Sequence, residues 1–167
     1  MSFDRADLAT MEAEGTLDDV IAHEMGHVLG VGTLWMAKSL LAGSGTSDPR
    51  FTGSGALAEY ATLTGDPVEP GVPVENTGGP GTREGHWRES VFGTELMSGF
   101  IGRPDNPLSR VTVASLADLG YQVDLDAAEA YTLPVRARGG SVRAGRRPRG
   151  VVLPVVPFVL PAGSLRA

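Results

Sequence analysis

The chain has no cysteine among its 167 residues. That excludes a disulfide framework, a thiolate nucleophile and any cysteine-ligated zinc or iron–sulfur site. It leaves the redox compartment open. Histidine is scarce as well, with three residues in all, and aromatic residues make up 6%. No apolar run has the roughly 20 residues that a membrane span needs. The longest, Val151 to Ala162, is broken by Pro154, Pro157 and Pro161. The opening Met1-Ser2-Phe3-Asp4-Arg5 is charged where a secretory leader would be apolar, so no signal peptide is read there.

Glycine and proline are plentiful, at 23 and 12 residues. Such a chain is rich in turns, and long regular elements must be few. With 41% hydrophobic and 20% charged residues it can still bury a core, and its length suits one domain. The net charge of −6 is unevenly spread. Residues 1–134 hold all twenty acidic and seven basic residues, a balance of −13, whereas residues 135–167 hold seven arginines and no acid. An acidic body argues against a nucleic-acid partner, whose basic face belongs to the folded part. The arginines of the tail, among them Arg136, Arg138, Arg143, Arg146, Arg147 and Arg149, stand among glycine and proline. A solvated, disordered tail is favoured there over a polyanion- or membrane-docking segment.

Two helices are legible. Thr16 with Asp19 three residues on reads as a capping-box variant. Leu17, Val20, Ile21 and Val28 follow at helical spacing, and Gly30 is placed for a left-handed stop, which predicts a helix over 17–29. Ser109 caps a second helix over about 110–119, ended by Gly120. Residues 2–11 fit a short strand or a turn leading into helix. Residues 43–85 read as loop, with two helical turns over Ala56 to Leu63 beginning near Ser54 or Gly55. The ordered part is expected to end near Leu133-Pro134.

The chemistry lies in His23-Glu24-Met25-Gly26-His27, an H-E-x-x-H motif on the first of these helices. Residues four apart share a helix face, so both imidazoles can reach one ion. Glu24, about 100° further round the axis, flanks that ion and is placed to act as general base. With three histidines and ten glutamates available, about 0.003 chance matches are expected, so coincidence is a poor explanation. Two histidines are an incomplete set, because catalytic zinc takes three protein ligands and a water. His86, in Gly85-His86-Trp87, is the remaining imidazole and the favoured third ligand. Glu59 is the competing carboxylate, with Glu75, Glu84 and Glu89 behind it. Trp35 and Trp87 read as packing residues, and Met97 on its own as core.

His23-Glu24-x-x-His27-x-x-Gly30 resembles the start of the metzincin signature. Thr33 stands where the short form of that signature has its third histidine. The leishmanolysin-like (peptidase M8 type) branch instead inserts some tens of residues before that histidine. Gly30, the turn-rich segment and then His86 are similar to that arrangement. Glu95-Leu96-Met97-Ser98-Gly99 resembles the family's Met-turn, and Ser109 to Tyr121 its closing helix. The likeness runs from about Phe3 to Asp126.

The resemblance implies an α+β fold, mostly helix and loop here. It would be a metzincin-like zincin catalytic domain over residues 1–134, with a long insertion at 33–85 and the tail at 135–167. Only 22 residues precede His23, so most of the upper β-sheet subdomain, where substrate pairs by strand addition, is expected to be missing. A fragment or a mis-assigned start is the favoured account. The implied site is one catalytic Zn2+ on His23, His27 and His86, with Met97 as a structural floor. Glu24 would take the proton of a zinc-activated water. The implied reaction is peptide-bond hydrolysis by a zinc metalloendopeptidase on protein or peptide substrates. A secreted or cell-surface parent protein is implied as well. The alternative is a zinc-binding but inactive fragment that serves as a binding or adhesion module.

Overall fold

The computed structural model describes residues 5–67 and 70–134. The elements run as helix α1 (Arg5–Glu14), helix α2 (Leu17–Leu29), strands β1 (Leu41–Ala42) and β2 (Arg50–Phe51) and helix α3 (Ser54–Thr64). Strand β3 (Val72–Pro73), the single turn α4 (Glu89–Phe92), helix α5 (Arg110–Leu119) and a 3-10 turn at Leu125–Ala127 complete the order. The result is a small α+β assembly, as expected. The predicted basic tail at 135–167 lies outside the described residues. Within them, no helix is long and apolar enough to cross a membrane.

Helix α2 has the predicted bounds, and Gly30 ends it with φ 115°. That left-handed turn lets the Gly30 and Val31 N–H groups close on the Gly26 carbonyl. The start differs from the expected capping box. Thr16 makes no side-chain cap bond, and the Asp19 carboxylate accepts instead from the backbone and side-chain N–H groups of Asn106. The inward face also differs. Val20 is buried with His23 and His27, whereas Val28 is 77% exposed. The core-facing stripe of α2 is therefore one valine and two imidazoles, Val20, His23 and His27.

Helix α5 matches the prediction at both ends. Ser109 accepts from the Thr112 N–H, and Gly120 closes the helix with φ 109°. It packs against α3, whose first N–H groups lack a local cap. Asp118 of α5 supplies it: its two carboxylate oxygens accept from Gly55 N at 2.8 Å and Ala56 N at 2.9 Å. A carboxylate there also meets the positive end of the helix. Residues 5–14 are helical, which settles the strand-or-helix ambiguity at that end.

The expected loop at 43–85 holds two short strands, β2 and β3, besides helix α3. Strand β2 pairs antiparallel with both neighbours, Leu41 opposite Phe51 and Phe51 opposite Val72. These strands are two residues long, too short to show a period of two in the sequence. Beyond β3 the chain keeps an extended path, and Val74 bridges to Trp87, which in turn bridges to Ser98. Trp35, Phe51, Trp87 and Phe92 are fully buried. Trp87 lies 4.6 Å from Trp35, 5.5 Å from Phe51 and 5.7 Å from Phe92 between ring centroids. Such aromatic pairs each add about 0.5–1.5 kcal/mol beyond their buried area, so the residue beside His86 is anchored on three sides.

Candidate metal centre

His23 and His27 project from one face of α2, one turn apart, with ring centroids 4.6 Å apart. His86 comes to them on the hairpin that continues β3. At the base of that hairpin Glu75 N–H donates to the His86 carbonyl and Glu84 N–H to the Glu75 carbonyl, each at 2.9 Å. The three Nε2 atoms form a nearly equilateral triangle: 3.0 Å between His23 and His27, 3.0 Å between His27 and His86, and 3.1 Å between His23 and His86. All three residues are buried.

The other ring nitrogens fix the tautomer of the neutral rings. His23 Nδ1 lies 2.7 Å from the Leu96 carbonyl, His27 Nδ1 2.8 Å from that of Val31, and His86 Nδ1 2.8 Å from that of Thr82. A carbonyl only accepts, so each Nδ1 carries the hydrogen and each Nε2 is left with a lone pair. Burial pushes the His23 pKa down to about 4, helped by the neighbouring His86. Burial and the two flanking imidazoles push His27 down to about 3, and burial lowers His86. Near neutral pH three neutral imidazoles thus aim lone pairs at one point. Without a cation those pairs repel one another. A cation at that point could be held by all three.

The scale fits zinc. Bonds of about 2.0–2.1 Å to tetrahedral zinc put neighbouring ligands about 3.3–3.4 Å apart, within a few tenths of an ångström of this triangle. Three imidazoles held by carbonyls on their far nitrogens are a familiar zinc donor set. Among the described residues His23, His27 and His86 are the group that could hold a metal ion. None of the competing carboxylates joins them. Glu59 pairs with Arg110 at 2.9 Å, Glu75 accepts from Asn76, Thr77 and Glu89 N–H groups, and Glu84 accepts from Ser44 and Gly45. Glu89 is likewise outside the group.

Glu24 follows His23 on the helix and is half-buried. Its Oε1 is enclosed without a hydrogen-bond partner, and burial raises its pKa from the ordinary glutamate value. Met97 is fully buried beneath α2. A β-carbon at Gly26 would stand 2.6 Å from its sulfur, so the thioether packs into the space that the missing side chain leaves on α2. Thr33 donates its hydroxyl to the His27 carbonyl at 2.7 Å and belongs to the turn after the helix rather than to the ligand group.

Several supporting groups were invisible in the sequence. The carbonyls of Val31, Thr82 and Leu96 carry no residue signature at all. Gly32 lies against Gly85: a β-carbon at position 32 would be 1.9 Å from the Gly85 oxygen. That approach brings the hairpin bearing His86 under the end of α2. A glycine flanking each of the two histidine segments was the only hint available.

An H-E-x-x-H helix whose imidazoles meet a third from a distant loop has the architecture of a metallopeptidase centre. The chain belongs to the leishmanolysin family, peptidase M8, whose family model matches residues 1–138. Membership implies a zinc metalloprotease with peptide substrates. No curated protein and no solved structure matches the chain.

Proposed function

We propose that the chain carries the catalytic centre of a zinc metalloendopeptidase of the metzincin type, with His23, His27 and His86 as ligands and Glu24 as general base. The reading is carried by the convergence of three Nε2 lone pairs whose Nδ1 hydrogens are all engaged by backbone carbonyls. When bound, zinc supplies Lewis-acid polarisation of the scissile carbonyl and acidifies the attacking water.

The remaining work falls to the protein. The three carbonyls hold each ring in one tautomer and one orientation, so little reorganisation accompanies binding. Glu24 has an unpartnered oxygen and a raised pKa, which brings its basicity nearer the working pH. It accepts the proton of the water at its carboxylate and hands it to the nitrogen of the departing amine. Met97 keeps the floor beneath α2 apolar and closed.

The test is cleavage of casein or a quenched peptide by the zinc-loaded chain, compared with Glu24→Ala. The proposal expects Glu24→Ala to retain stoichiometric zinc and to lose activity by 10²-fold or more, in line with removal of a general base. Bound zinc with no cleavage by the parent chain would favour the binding-module alternative. Equal cleavage by both would remove Glu24 from its role.

A further inference from the structure

Glu95 is fully buried and has no place in the chemistry described so far. Its hydrogen bonds have a definite direction. Oε1 accepts from Ser109 N–H at 3.1 Å, from Ser109 Oγ–H at 2.7 Å and from Thr112 Oγ1–H. Oε2 accepts from the Met97 N–H at 2.6 Å. The Ser109 hydroxyl is itself an acceptor for the Thr112 N–H, and the Thr112 hydroxyl accepts from Trp87 Nε1 at 2.7 Å. Both hydroxyls therefore have only one way to point their hydrogens, towards Glu95.

These bonds reach the metal centre from two sides. The Met97 N–H that Glu95 holds is one half of the Leu96–Met97 peptide unit, and the other half is the Leu96 carbonyl, which accepts from His23 Nδ1 at 2.7 Å. The peptide group is planar, so fixing its N–H fixes the direction of its C=O. Through Thr112 the same carboxylate restrains Trp87, the residue after His86, whose own N–H donates to the Met97 carbonyl at 3.0 Å.

We propose that Glu95 is a positioning residue of the metal centre: by gripping the Met97 N–H with one oxygen and the start of α5 with the other, it aims the Leu96 carbonyl at His23 and locks the loop that carries His86. The inference rests on the zinc reading above. The two oxygens do separable work. In Glu95→Gln an amide oxygen can keep the three donors from Ser109 and Thr112, which leaves the amide NH2 facing the Met97 N–H. Two donors then oppose each other at the one contact that reaches the Met-turn, while the cap of α5 survives.

The test is zinc affinity of the full chain by chelator competition, with the cobalt(II)-substituted absorption spectrum as a second readout. Wild type is compared with Glu95→Gln and with Val111→Ala, a buried α5 position outside the network. Outer-shell partners of metal ligands are typically worth 10–100-fold in affinity. A loss of fivefold or more in Glu95→Gln, with a shifted cobalt spectrum and unchanged affinity in Val111→Ala, supports the proposal. A smaller loss, or an equal loss in Val111→Ala, overturns it and makes Glu95 a purely structural buried acid. Should Glu95→Gln fail to fold, Thr112→Val is read in its place: a threefold or greater loss supports, a smaller one overturns. A wild-type chain that binds no zinc would sink the zinc reading along with this one, whereas equal affinities in wild type and Glu95→Gln would sink this one alone.

Discussion

Gly26 lies directly over Met97, whose sulfur stands 2.6 Å from where a β-carbon at position 26 would be. The zinc-type helix and the turn beneath it are therefore fitted to each other through one missing side chain. Alanine at position 26 would ordinarily favour the helix by about 0.8–1.0 kcal/mol. Met97 is fully buried, so its flexible end can yield only by displacing packed neighbours, and overpacking of about 1–3 kcal/mol outweighs that gain. Gly26→Ala is expected to lower stability in urea, and Gly26→Ala with Met97→Ala to recover part of the loss. A double-mutant cycle checks it: additivity within about 0.5 kcal/mol would mean the two sites are independent.

Gly32 gives a sharper contrast. Both Gly32 and Gly65 have positive φ, 73° and 79°, so alanine at either meets backbone strain of about 1–2 kcal/mol. Nothing lies within 4 Å of a β-carbon at Gly65, whereas one at Gly32 would strike the Gly85 carbonyl. Gly65→Ala is expected to reduce stability modestly with zinc affinity unchanged. Gly32→Ala must push the hairpin away and is expected to weaken zinc binding by tenfold or more. Parallel thermal melts and zinc titrations of the two variants decide the matter; equal zinc affinities would contradict the placement of His86.

Acid should weaken the metal-free protein in a defined window. In the folded chain His23 and His27 have pKa values of about 4 and about 3, against 6.5 for a free side chain. Between 6.5 and about 4 the unfolded chain therefore binds protons that the folded chain refuses. By linkage, stability rises with pH through that window and is lost as pH falls through it. Urea titrations at pH 7.5 and 5 on the metal-free chain should show the loss, and His23→Gln with His27→Gln should reduce it, leaving the share of the buried His86. An equal slope in that double variant would place the acid sensitivity elsewhere.

Helices α2 and α5 were readable from the sequence because both carry their stop signals locally, Gly30 and Gly120, and because Ser109 caps its own helix. Thr16 misled: its box partner Asp19 was claimed by Asn106, a residue 87 positions away. The start of α3 was ambiguous for the same reason, since its cap comes from Asp118. His86 was placed by counting imidazoles and by the family's spacing. The devices that bring it home were not readable, because the Gly32–Gly85 contact and the Thr82 and Leu96 carbonyls are tertiary features without a residue-type signature. Val28 shows the remaining limit: periodicity found the helix, yet Val28 is 77% exposed and the buried face holds His23 and His27 beside Val20.

The most direct measurement is a zinc titration of the purified chain beside His86→Ala. Three buried imidazoles with converging lone pairs predict one tightly held zinc per chain, and a loss of at least a hundredfold in affinity when the ring at position 86 is removed. Zinc well below one per chain, or an affinity that ignores that substitution, would contradict the account.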